Sequence, residues 1–455
     1  MRRKRKMKLE LTIDFSRLLG AVQDIFKQVR ITHFLLLLFA AHMIQISFPS
    51  DGSYVFDEAH YVPASLAALR GVDTNPAHPP LPKLIGAVAI ALLGNDWFAW
   101  RFPQVLMQIA VLCLFYLIAR RFLGDPWALG AAMLLGLDTL FFIHGGILLL
   151  DMTGFLFGLL AFELYFRGRY ALSAAAMGIA FLSRIMAIFL FATLAIYHVY
   201  SNRRDLKHAV RIGARYTVIA LIVFGLLLSA YDAVYKPPSF TAVTNYVITN
   251  VVNDDSGTPV ATVTTTSQSV GPGGPMTNAV EHVLFIMRYH GPGGIVINEP
   301  YRPYQYAWNW VIPGFSPADF PTYYRVDVTV TSPEGTAHHV PIWYIAALNP
   351  AVVCGFWPTI IALAAALWRR RSTETAVMVG AGILCNYSPW LVMSLVVRRI
   401  GFNYYMIWPL PFIALGLAFA WKTLLGEENG KLVLAFNVVW ALGFFLKFFP
   451  VRPFP

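Results

Sequence analysis

The sequence predicts an all-α protein that crosses the membrane about eleven times. Of its 455 residues, 57% are hydrophobic and only 13% are charged, and the mean hydropathy is +0.58. These values are typical of polytopic membrane proteins and exclude an ordinary soluble domain. Apolar runs of helical length recur along the chain and predict the spans. They lie at 32–48, 102–119, 126–143, 149–166, 171–183, 186–200, 214–235, 342–367, 374–397, 403–421 and 431–447.

The basic residues predict the orientation of these spans. The formal net charge is +11, but the arginines and lysines lie in short loops and at helix ends, so we do not expect nucleic acid as a partner. Eleven spans that start in the cytosol place every basic cluster on the cytosolic side and the C-terminus outside. Those clusters are Arg120-Arg121, Arg167 to Arg169, Arg203 to Arg215 and Arg369 to Arg371.

This count has two consequences for apolar stretches that do not fit a full crossing. Leu81–Leu93 is predicted to be a juxtamembrane or re-entrant helix on the outer side. Residues 171–200 are predicted to form two short helices that meet near Ser183-Arg184, although a single tilted helix is the alternative. At about 1.5 Å per residue, each short helix falls below the thickness of a hydrocarbon core of roughly 30 Å.

The chain then divides into four parts. Residues 1–31 form a basic, amphipathic cytosolic segment, and 32–235 form an N-terminal membrane module whose first outer loop covers 49–100. Residues 236–341 form a large outer loop, and 342–455 form a C-terminal membrane module. The three cysteines, Cys113, Cys354 and Cys385, all lie in apolar segments, so no disulfide framework is expected.

Two elements are predicted inside the large outer loop. Asn278 followed by Glu281 is typical of a capping box and predicts a helix that continues to about His290. Alternating valines at 326–330, a turn at 332–335 and the segment 336–340 predict a β-hairpin.

Polar, titratable residues collect on the outer side in this topology. The first outer loop holds Asp57, Glu58, His60, Tyr61 and His78, and the ends of later spans add Arg101, Asp151, Arg184, Arg398 and Arg399. A transporter or flippase, which remains an alternative, would place its carboxylates near the bilayer midplane along a path. Charges gathered at one interface favour an enzyme that acts on a lipid-linked substrate.

Each of these residues also has a structural interpretation. Asp57, Glu58 and Asp151 are acidic residues at helix starts and would suit capping. His78 precedes two prolines and would stiffen a turn. Arg101 and Arg184 would serve as interface anchors with extended side chains. The aromatic cluster that includes Trp308 and Trp310 would serve as a membrane-interface belt.

The motifs resemble those of the protein O-mannosyltransferases, membrane enzymes of the GT-C class. The resemblance covers about two-thirds of the chain in the family's order. The segments that carry it are Asp57-Glu58-Ala59-His60-Tyr61, His78-Pro79-Pro80-Leu81-Pro82-Lys83, Trp100-Arg101, Leu137-Asp138 to Asp151, His290, Tyr301-Arg302-Pro303, Trp308-Asn309-Trp310, Leu348-Asn349-Pro350, Tyr387-Ser388-Pro389-Trp390 and Phe402-Asn403-Tyr404-Tyr405.

The resemblance implies a GT-C bundle that moves a hexose, as mannose, from a polyprenyl- or dolichyl-phosphate to a Ser/Thr hydroxyl with inversion. It implies Asp57 as the catalytic carboxylate, with Glu58 and Arg101 supporting the substrates. The β-trefoil module of eukaryotic members does not fit into 236–341, so a prokaryotic cell membrane is expected. Transfer to a lipid or to a lipid-linked or N-linked glycan is the alternative.

The chemistry of the reaction adds further expectations. A hydroxyl nucleophile needs a carboxylate to take its proton, and a departing phosphate is stabilised by arginines, here Arg101, Arg184 and Arg398 or Arg399. Because a monophosphate carries little charge, no cofactor or metal is expected. Related lipid A aminoarabinose transferases can hold a metal at positions matching Glu58 and His78, but two ligands are too few to argue zinc. Trp308 and Trp310 offer wide contact surfaces for an acceptor.

Overall fold

The structure is a computed structural model that describes residues 30–48, 54–253, 259–290, 306–312, 323–331, 337–369, 373–397 and 401–453. Most of these residues form helices, and the predicted helical class is confirmed. The predicted amphipathic helix before residue 30 lies outside the described residues. The helices are α1 Ile31–Ser47, α2 Glu58–Ala68, α3 Leu81–Leu93, α4 Trp97–Leu123, α5 Asp125–Gly136, α6 Thr139–His144, α7 Asp151–Phe166, α8 Tyr170–Ser183, α9 Ala187–Ser201, α10 Leu206–Tyr235, α11 Ala279–His290, α12 Pro350–Val353, α13 Phe356–Trp368, α14 Glu374–Val392 and α15 Leu410–Lys447.

The described strands form one two-stranded and one three-stranded sheet. β1 Pro238–Asn253 pairs antiparallel with β2 Pro259–Pro275, and β4 Ala337–Ile345 pairs antiparallel with both β3 Tyr323–Thr331 and β5 Val451–Pro453. The predicted hairpin is therefore confirmed as β3–β4. The β1–β2 ribbon was not predicted.

Five described helices are long and apolar enough to cross a membrane, and four shorter apolar helices accompany them. The chain is thus a multi-pass membrane protein. The number of eleven crossings stays a prediction. The five long candidates are Trp97–Leu123, Leu206–Tyr235, Pro350–Trp368, Glu374–Val396 and Leu410–Lys447.

Two predicted spans have the wrong limits. The run 126–143 is interrupted where Asp138 adopts an extended backbone and its carboxylate accepts a hydrogen bond from the Phe141 amide at 3.0 Å, which begins α6. In the run 342–367, the first four residues complete strand β4, and the helix begins only at Pro350, where Asn349 caps it. Apolar content alone does not distinguish a buried strand from a helix.

The spans predicted at 403–421 and 431–447 both fall in α15, which consists of two helices joined at a kink. The kink lies at Gly426, whose φ of 79° is a left-handed backbone conformation that glycine adopts without strain. The predicted pair of short helices in 171–200 is confirmed, because α8 ends at Ser183 and α9 begins at Ala187. Arg184, between them, has an extended backbone, which excludes the single tilted helix.

Close contact between helices holds the bundle together. Lipid tails are as apolar as leucine, so interhelical packing matters more here than removal of surface from water. A Cβ at Gly158 of α7 would collide with Leu190 of α9, and one at Gly130 of α5 would meet Leu434 of α15 at 2.6 Å. These contacts fix α7 against α9 and α5 against α15.

Candidate active site

Glu58 and Arg101 form a fully buried ion pair that joins four parts of the chain. The Arg101 Nε donates to Glu58 Oε1 at 2.9 Å, and its Nη2 donates to Oε2 at 2.8 Å. The backbone amides of Val55 and Leu148 also donate to this carboxylate, at 2.9 and 3.1 Å. The Arg101 Nη1 donates to the Tyr344 hydroxyl of β4 at 3.0 Å. Both charged groups are therefore satisfied within the protein, and neither side chain is exposed.

This geometry favours a positioning role for both residues. A bidentate arginine–carboxylate pair with further hydrogen bonds is strong because every partner is in place. The Glu58 side chain does not cap α2, because its oxygens accept hydrogen bonds from Arg101 and from the backbone amides of Val55 and Leu148. The prediction that Arg101 binds the donor phosphate stays a prediction, but its guanidinium lies inside the protein.

Asp57, the preceding residue, has the opposite environment. Its backbone is helical and its side chain makes no capping hydrogen bond to α2, so the capping alternative is wrong for this residue. No other described residue is hydrogen-bonded to the carboxylate, which is partly buried. Burial raises its pKa, whereas the nearby Arg184, His60 and His144 lower it. A carboxylate of this kind can accept a proton from a bound hydroxyl.

Phe56 holds the backbone immediately before Asp57 in a strained conformation. Its φ is 54°, which a bulky residue rarely adopts. Two contacts maintain it: the Val55–Glu58 hydrogen bond on one side, and the packing of the Phe56 ring on Tyr404, with ring centroids 5.2 Å apart. Backbone strain that the surroundings enforce clusters at functional sites.

Arg184 is the charged residue with the largest electrostatic effect on Asp57, and its side chain is partly exposed. It lies at the break between α8 and α9, and its Nη1 donates to Asp151 Oδ2 at 2.8 Å. The Trp408 indole donates to Asp151 Oδ1 at 2.9 Å, and His144 Nδ1 lies 3.6 Å from Oδ2. Arg184 is 14% exposed, against 2% for Asp151. Asp151 therefore orients Arg184, and the remaining guanidinium donors are available to an anion.

Aromatic side chains complete the wall of this cluster. Tyr404 contacts Phe56 and lies 6.0 Å, centroid to centroid, from His144. Tyr405 stacks on Trp390 at 4.2 Å. Sequence reasoning placed the tyrosines in a motif without a role and missed Trp408 and Tyr344. Their partners are 257 and 243 residues away, and no local pattern reports such contacts.

His78 connects the first loop to α11. Its ring packs on Tyr61 at 5.6 Å and on His290 at 4.9 Å, and His290 Nε2 donates to the Ala77 carbonyl at 3.0 Å. Burial, together with the charge of His290, lowers the pKa of His78 well below its usual value. His78 is therefore more than a stiff turn, since it links α2 to the segment that follows the β1–β2 ribbon.

A buried ion pair braces the same loop from behind. Lys83 Nζ lies 3.2 Å from Asp73 Oδ1 and also donates to the carbonyls of Asn75 and His78, at 2.5 and 3.1 Å. Burial of Tyr61 raises its pKa, and the charge of Asp57 raises it further, so this hydroxyl stays protonated beside the carboxylate. His60, the remaining residue of the first motif, is exposed.

The structure separates the two tryptophans. The helical turn Ala307–Val311 is fixed to α14, because the Tyr387 hydroxyl donates to the Ala307 carbonyl at 2.7 Å. Trp310 is 3% exposed, with its ring 6.4 Å from that of Tyr405, whereas Trp308 is 36% exposed and stacks on Tyr306. Only Trp308 offers a face to a ligand. The predicted residues Arg302, Arg398 and Arg399 lie outside the described residues.

The described chain contains no group of three or more His, Cys, Asp or Glu side chains arranged to hold a metal ion. Glu58, half of the metal pair that the resemblance suggests with His78, has its oxygens engaged by Arg101 and two amides. The residues present therefore do not fit a metal at that position.

The fold is that of the GT-C membrane glycosyltransferases. It superimposes on the protein O-mannosyltransferase Pmt1–Pmt2 complex of S. cerevisiae bound to the sugar donor, with a TM-score of 0.61 and 11% identity, over 95% of this chain and 91% of that one. ArnT from Cupriavidus metallidurans bound to undecaprenyl phosphate gives a TM-score of 0.50 and 15% identity, over 92% and 65%. At these identities the likeness concerns the fold alone.

The sequence comparisons point to one family. Residues 77–229 match the family described as dolichyl-phosphate-mannose-protein mannosyltransferase. The polyprenol-phosphate-mannose–protein mannosyltransferase of Mycobacterium tuberculosis is 34% identical over 119 residues, 24% of this chain and 22% of that protein. That of Mycolicibacterium smegmatis is 31% identical over 129 residues, 26% and 25%. The chain thus matches about a quarter of these relatives' length, and the predicted resemblance is confirmed there.

Proposed function

We propose that this protein is an inverting glycosyltransferase that moves a hexose, as mannose, from a polyprenyl-phosphate sugar to a Ser/Thr hydroxyl of a protein. One observation carries the proposal. Asp57, a carboxylate without a hydrogen-bond partner among the described residues, lies within electrostatic range of Arg184, which is partly exposed and bonded to Asp151 through one guanidinium nitrogen. These are the base and the phosphate ligand that the reaction needs.

In the proposed reaction, the acceptor hydroxyl oxygen attacks the anomeric carbon while the bond from that carbon to the phosphate oxygen breaks. Asp57 accepts the hydroxyl proton, and the phosphate leaves with the bonding electrons. Arg184 stabilises the charge that develops on the phosphate, and Asp151 with Trp408 keeps the guanidinium in place. Attack opposite the leaving group inverts the configuration. No cofactor or metal takes part in this proposal.

The proposed orientation places this site on the outer side of a prokaryotic cell membrane, with the N-terminus in the cytosol. Helix α8 begins next to Arg167 and Arg169 and ends next to Arg184, so the basic cluster and the candidate site lie at opposite ends of the same helix. Basic residues are retained on the cytosolic side. The donor would reach Arg184 from the outer leaflet, and a secreted protein segment would reach Asp57 from water.

A transfer assay tests the proposal. Purified protein in liposomes receives polyprenyl-phosphate [³H]mannose together with either a Ser/Thr-rich peptide or a lipid acceptor. We expect radiolabel on the peptide, linked to a hydroxyl in the inverted configuration, and transfer slowed about 10²-fold or more with Asp57→Asn protein. Label on the lipid alone would change the acceptor class. Absence of transfer to both acceptors by protein that binds the donor would contradict the proposal.

A further inference from the structure

An apolar groove lies at the end of the bundle opposite the candidate site. It runs between α9 and α10, has a volume of about 340 Å³, and falls within the range of small-molecule sites. Phe191, Leu194 and Val199 line one wall, and Val210, Gly213 and Thr217 line the other. The two helices are joined only by the turn 202–205, yet they diverge enough to leave this space.

The floor of the groove is rigid and polar at one point. His198 Nε2 donates to the Ala209 carbonyl at 2.9 Å, and His198 Nδ1 is hydrogen-bonded to the Tyr165 hydroxyl at 2.6 Å. The same hydrogen bonds join the ends of α7, α9 and α10 and so hold the floor of the groove in place.

Basic residues flank the groove along the turn between α9 and α10 and the first turns of α10. Residues 203–215 contain five arginines and lysines and one acidic residue, Asp205, and all six are exposed. Asp205 caps α10 by accepting from the His208 amide at 3.0 Å. Lys207 lies one turn before Val210, so it shares a helix face with the groove lining. Arg203 is held over the Tyr200 ring, 4.1 Å from its centroid, and donates to the Tyr200 carbonyl at 2.9 Å.

We propose that this groove binds an anionic phospholipid of the membrane leaflet opposite the candidate site. One acyl chain occupies the space between Leu194 and Gly213, and the phosphate lies near Arg203, Lys207 and the amino end of α10. Basic residues at the edge of an apolar crevice between membrane helices are the chemistry that recognises such headgroups.

Charge complementarity selects this occupant over the others. A zwitterionic lipid would fill the apolar part equally well but would gain little from five basic residues. A soluble anion would use the basic residues and leave the apolar wall uncovered. An anionic lipid satisfies both halves, and the exposed Val199 and Val210, at 51% and 69%, face the same hydrocarbon.

Native mass spectrometry of the full-length protein in neutral detergent tests the proposal. Dioleoyl phosphatidylglycerol and dioleoyl phosphatidylcholine are titrated separately, and the apparent Kd of the first bound lipid is measured. We expect phosphatidylglycerol to bind at least roughly tenfold more tightly, because each of the two basic residues near the phosphate contributes about fivefold. The double variant Arg203→Gln/Lys207→Gln should bind both lipids alike.

Matched variants separate this site from general surface attraction. Arg120→Gln/Arg121→Gln removes two charges from another basic cluster at the same end and should keep the preference. Gly213→Leu fills the groove, whereas Gly225→Leu makes the same change on α10 where a Cβ meets open space. Only Gly213→Leu should weaken phosphatidylglycerol binding. The milder Gly213→Ala, whose Cβ lies 3.8 Å from His198, guards against misfolding and should weaken binding less.

Three results would overturn the proposal. They are equal binding of the two lipids by the wild-type protein, the same loss of phosphatidylglycerol preference in both double variants, and unchanged phosphatidylglycerol binding by well-folded Gly213→Leu. The measurement needs no turnover, so it stands apart from the proposed transfer reaction.

Discussion

Two arginine–carboxylate pairs lie on the same side of the bundle and have opposite character. Glu58–Arg101 is completely buried, and amides and a tyrosine hydroxyl satisfy the rest of both groups. Asp151–Arg184 is partly exposed at its arginine and lies beside Asp57, which has no hydrogen-bond partner within the described ranges. A saturated pair positions the chain, whereas an incompletely satisfied one retains the capacity to bind and react.

Breaking the saturated pair should have the largest effect, and that effect is on stability. Glu58→Gln leaves the Arg101 charge buried without a counter-charge, which costs about 3–5 kcal/mol in the free energy of unfolding. Thermal unfolding of the purified protein in detergent would measure it. In a double-mutant cycle, Glu58→Gln/Arg101→Gln should lose much less than the sum of the single variants. Additive losses would show that the two residues act separately.

Removing the reactive carboxylate should instead affect turnover and leave the fold intact. Asp57→Asn keeps size and hydrogen bonding but cannot accept the proton, so turnover should fall about 10²-fold or more. The transfer assay measures turnover, and unfolding temperature reports the fold. Glu428→Gln, which also replaces a carboxylate by an amide but at an exposed position, serves as the control. Near-normal turnover by folded Asp57→Asn protein would contradict its assignment as the base.

The contrast between the pairs also predicts what Arg184 does. Arg184→Lys keeps the charge but loses the planar, forked donors, so the apparent donor KM should rise roughly tenfold and the acceptor KM much less. Equal donor KM values for wild type and variant would make Arg184 an interface anchor.

The pH profile provides a second measurement on this arginine. Burial raises the pKa of Asp57, so activity should fall with decreasing pH at a higher pH than for an ordinary aspartate. Arg184 lowers that pKa, so Arg184→Gln should move the acidic limb to still higher pH, whereas Arg184→Lys should not. If the acidic limb of the pH profile does not move in Arg184→Gln, Arg184 does not act on the Asp57 carboxylate.

The smallest expected effect concerns acceptor use. Trp308→Ala removes an exposed aromatic face and should raise the acceptor KM about three- to tenfold with little change for the donor. Trp310→Ala, at a buried position, should lower the unfolding temperature instead. Trp368→Ala, at a side chain 89% exposed elsewhere on the surface, is the control. If Trp308→Ala changes neither substrate constant, the acceptor is chosen elsewhere.

The sequence predicts the parts of this molecule that local patterns specify. The capping residues Asn278 and Glu281 hold the start of α11 as expected, and the break at Ser183-Arg184 and the β3–β4 hairpin are where the pattern puts them. The helix break at Asp138 was missed because apolar residues continue through it. Its cause is a partner far away in the chain, the Asn349 amide, 2.8 Å from the Asp138 carboxylate.

In the candidate site, too, the sequence predicts which residues are involved but not the role of each. Charge and position indicate Asp57, Arg101 and Arg184 equally, since each is a charged residue near a helix end. Only the tertiary contacts distinguish the roles, because Tyr344 and Leu148 complete the shell of Arg101 and Glu58, while nothing equivalent reaches Asp57 in the part of the chain described. A saturated charge and a reactive one can have the same sequence signature.

Helices α8 and α9 contain 14 and 15 residues, and rise only about 21–23 Å at 1.5 Å per residue. As membrane spans, helices of this length are matched by a locally thinner leaflet. We therefore expect the head groups nearest to Arg184 to lie deeper than those of the surrounding bilayer. In the proposed reaction, a lipid-phosphate donor would reach the arginine through this depression without its tail leaving hydrocarbon. The length of two helices would then set the depth at which the membrane presents the donor.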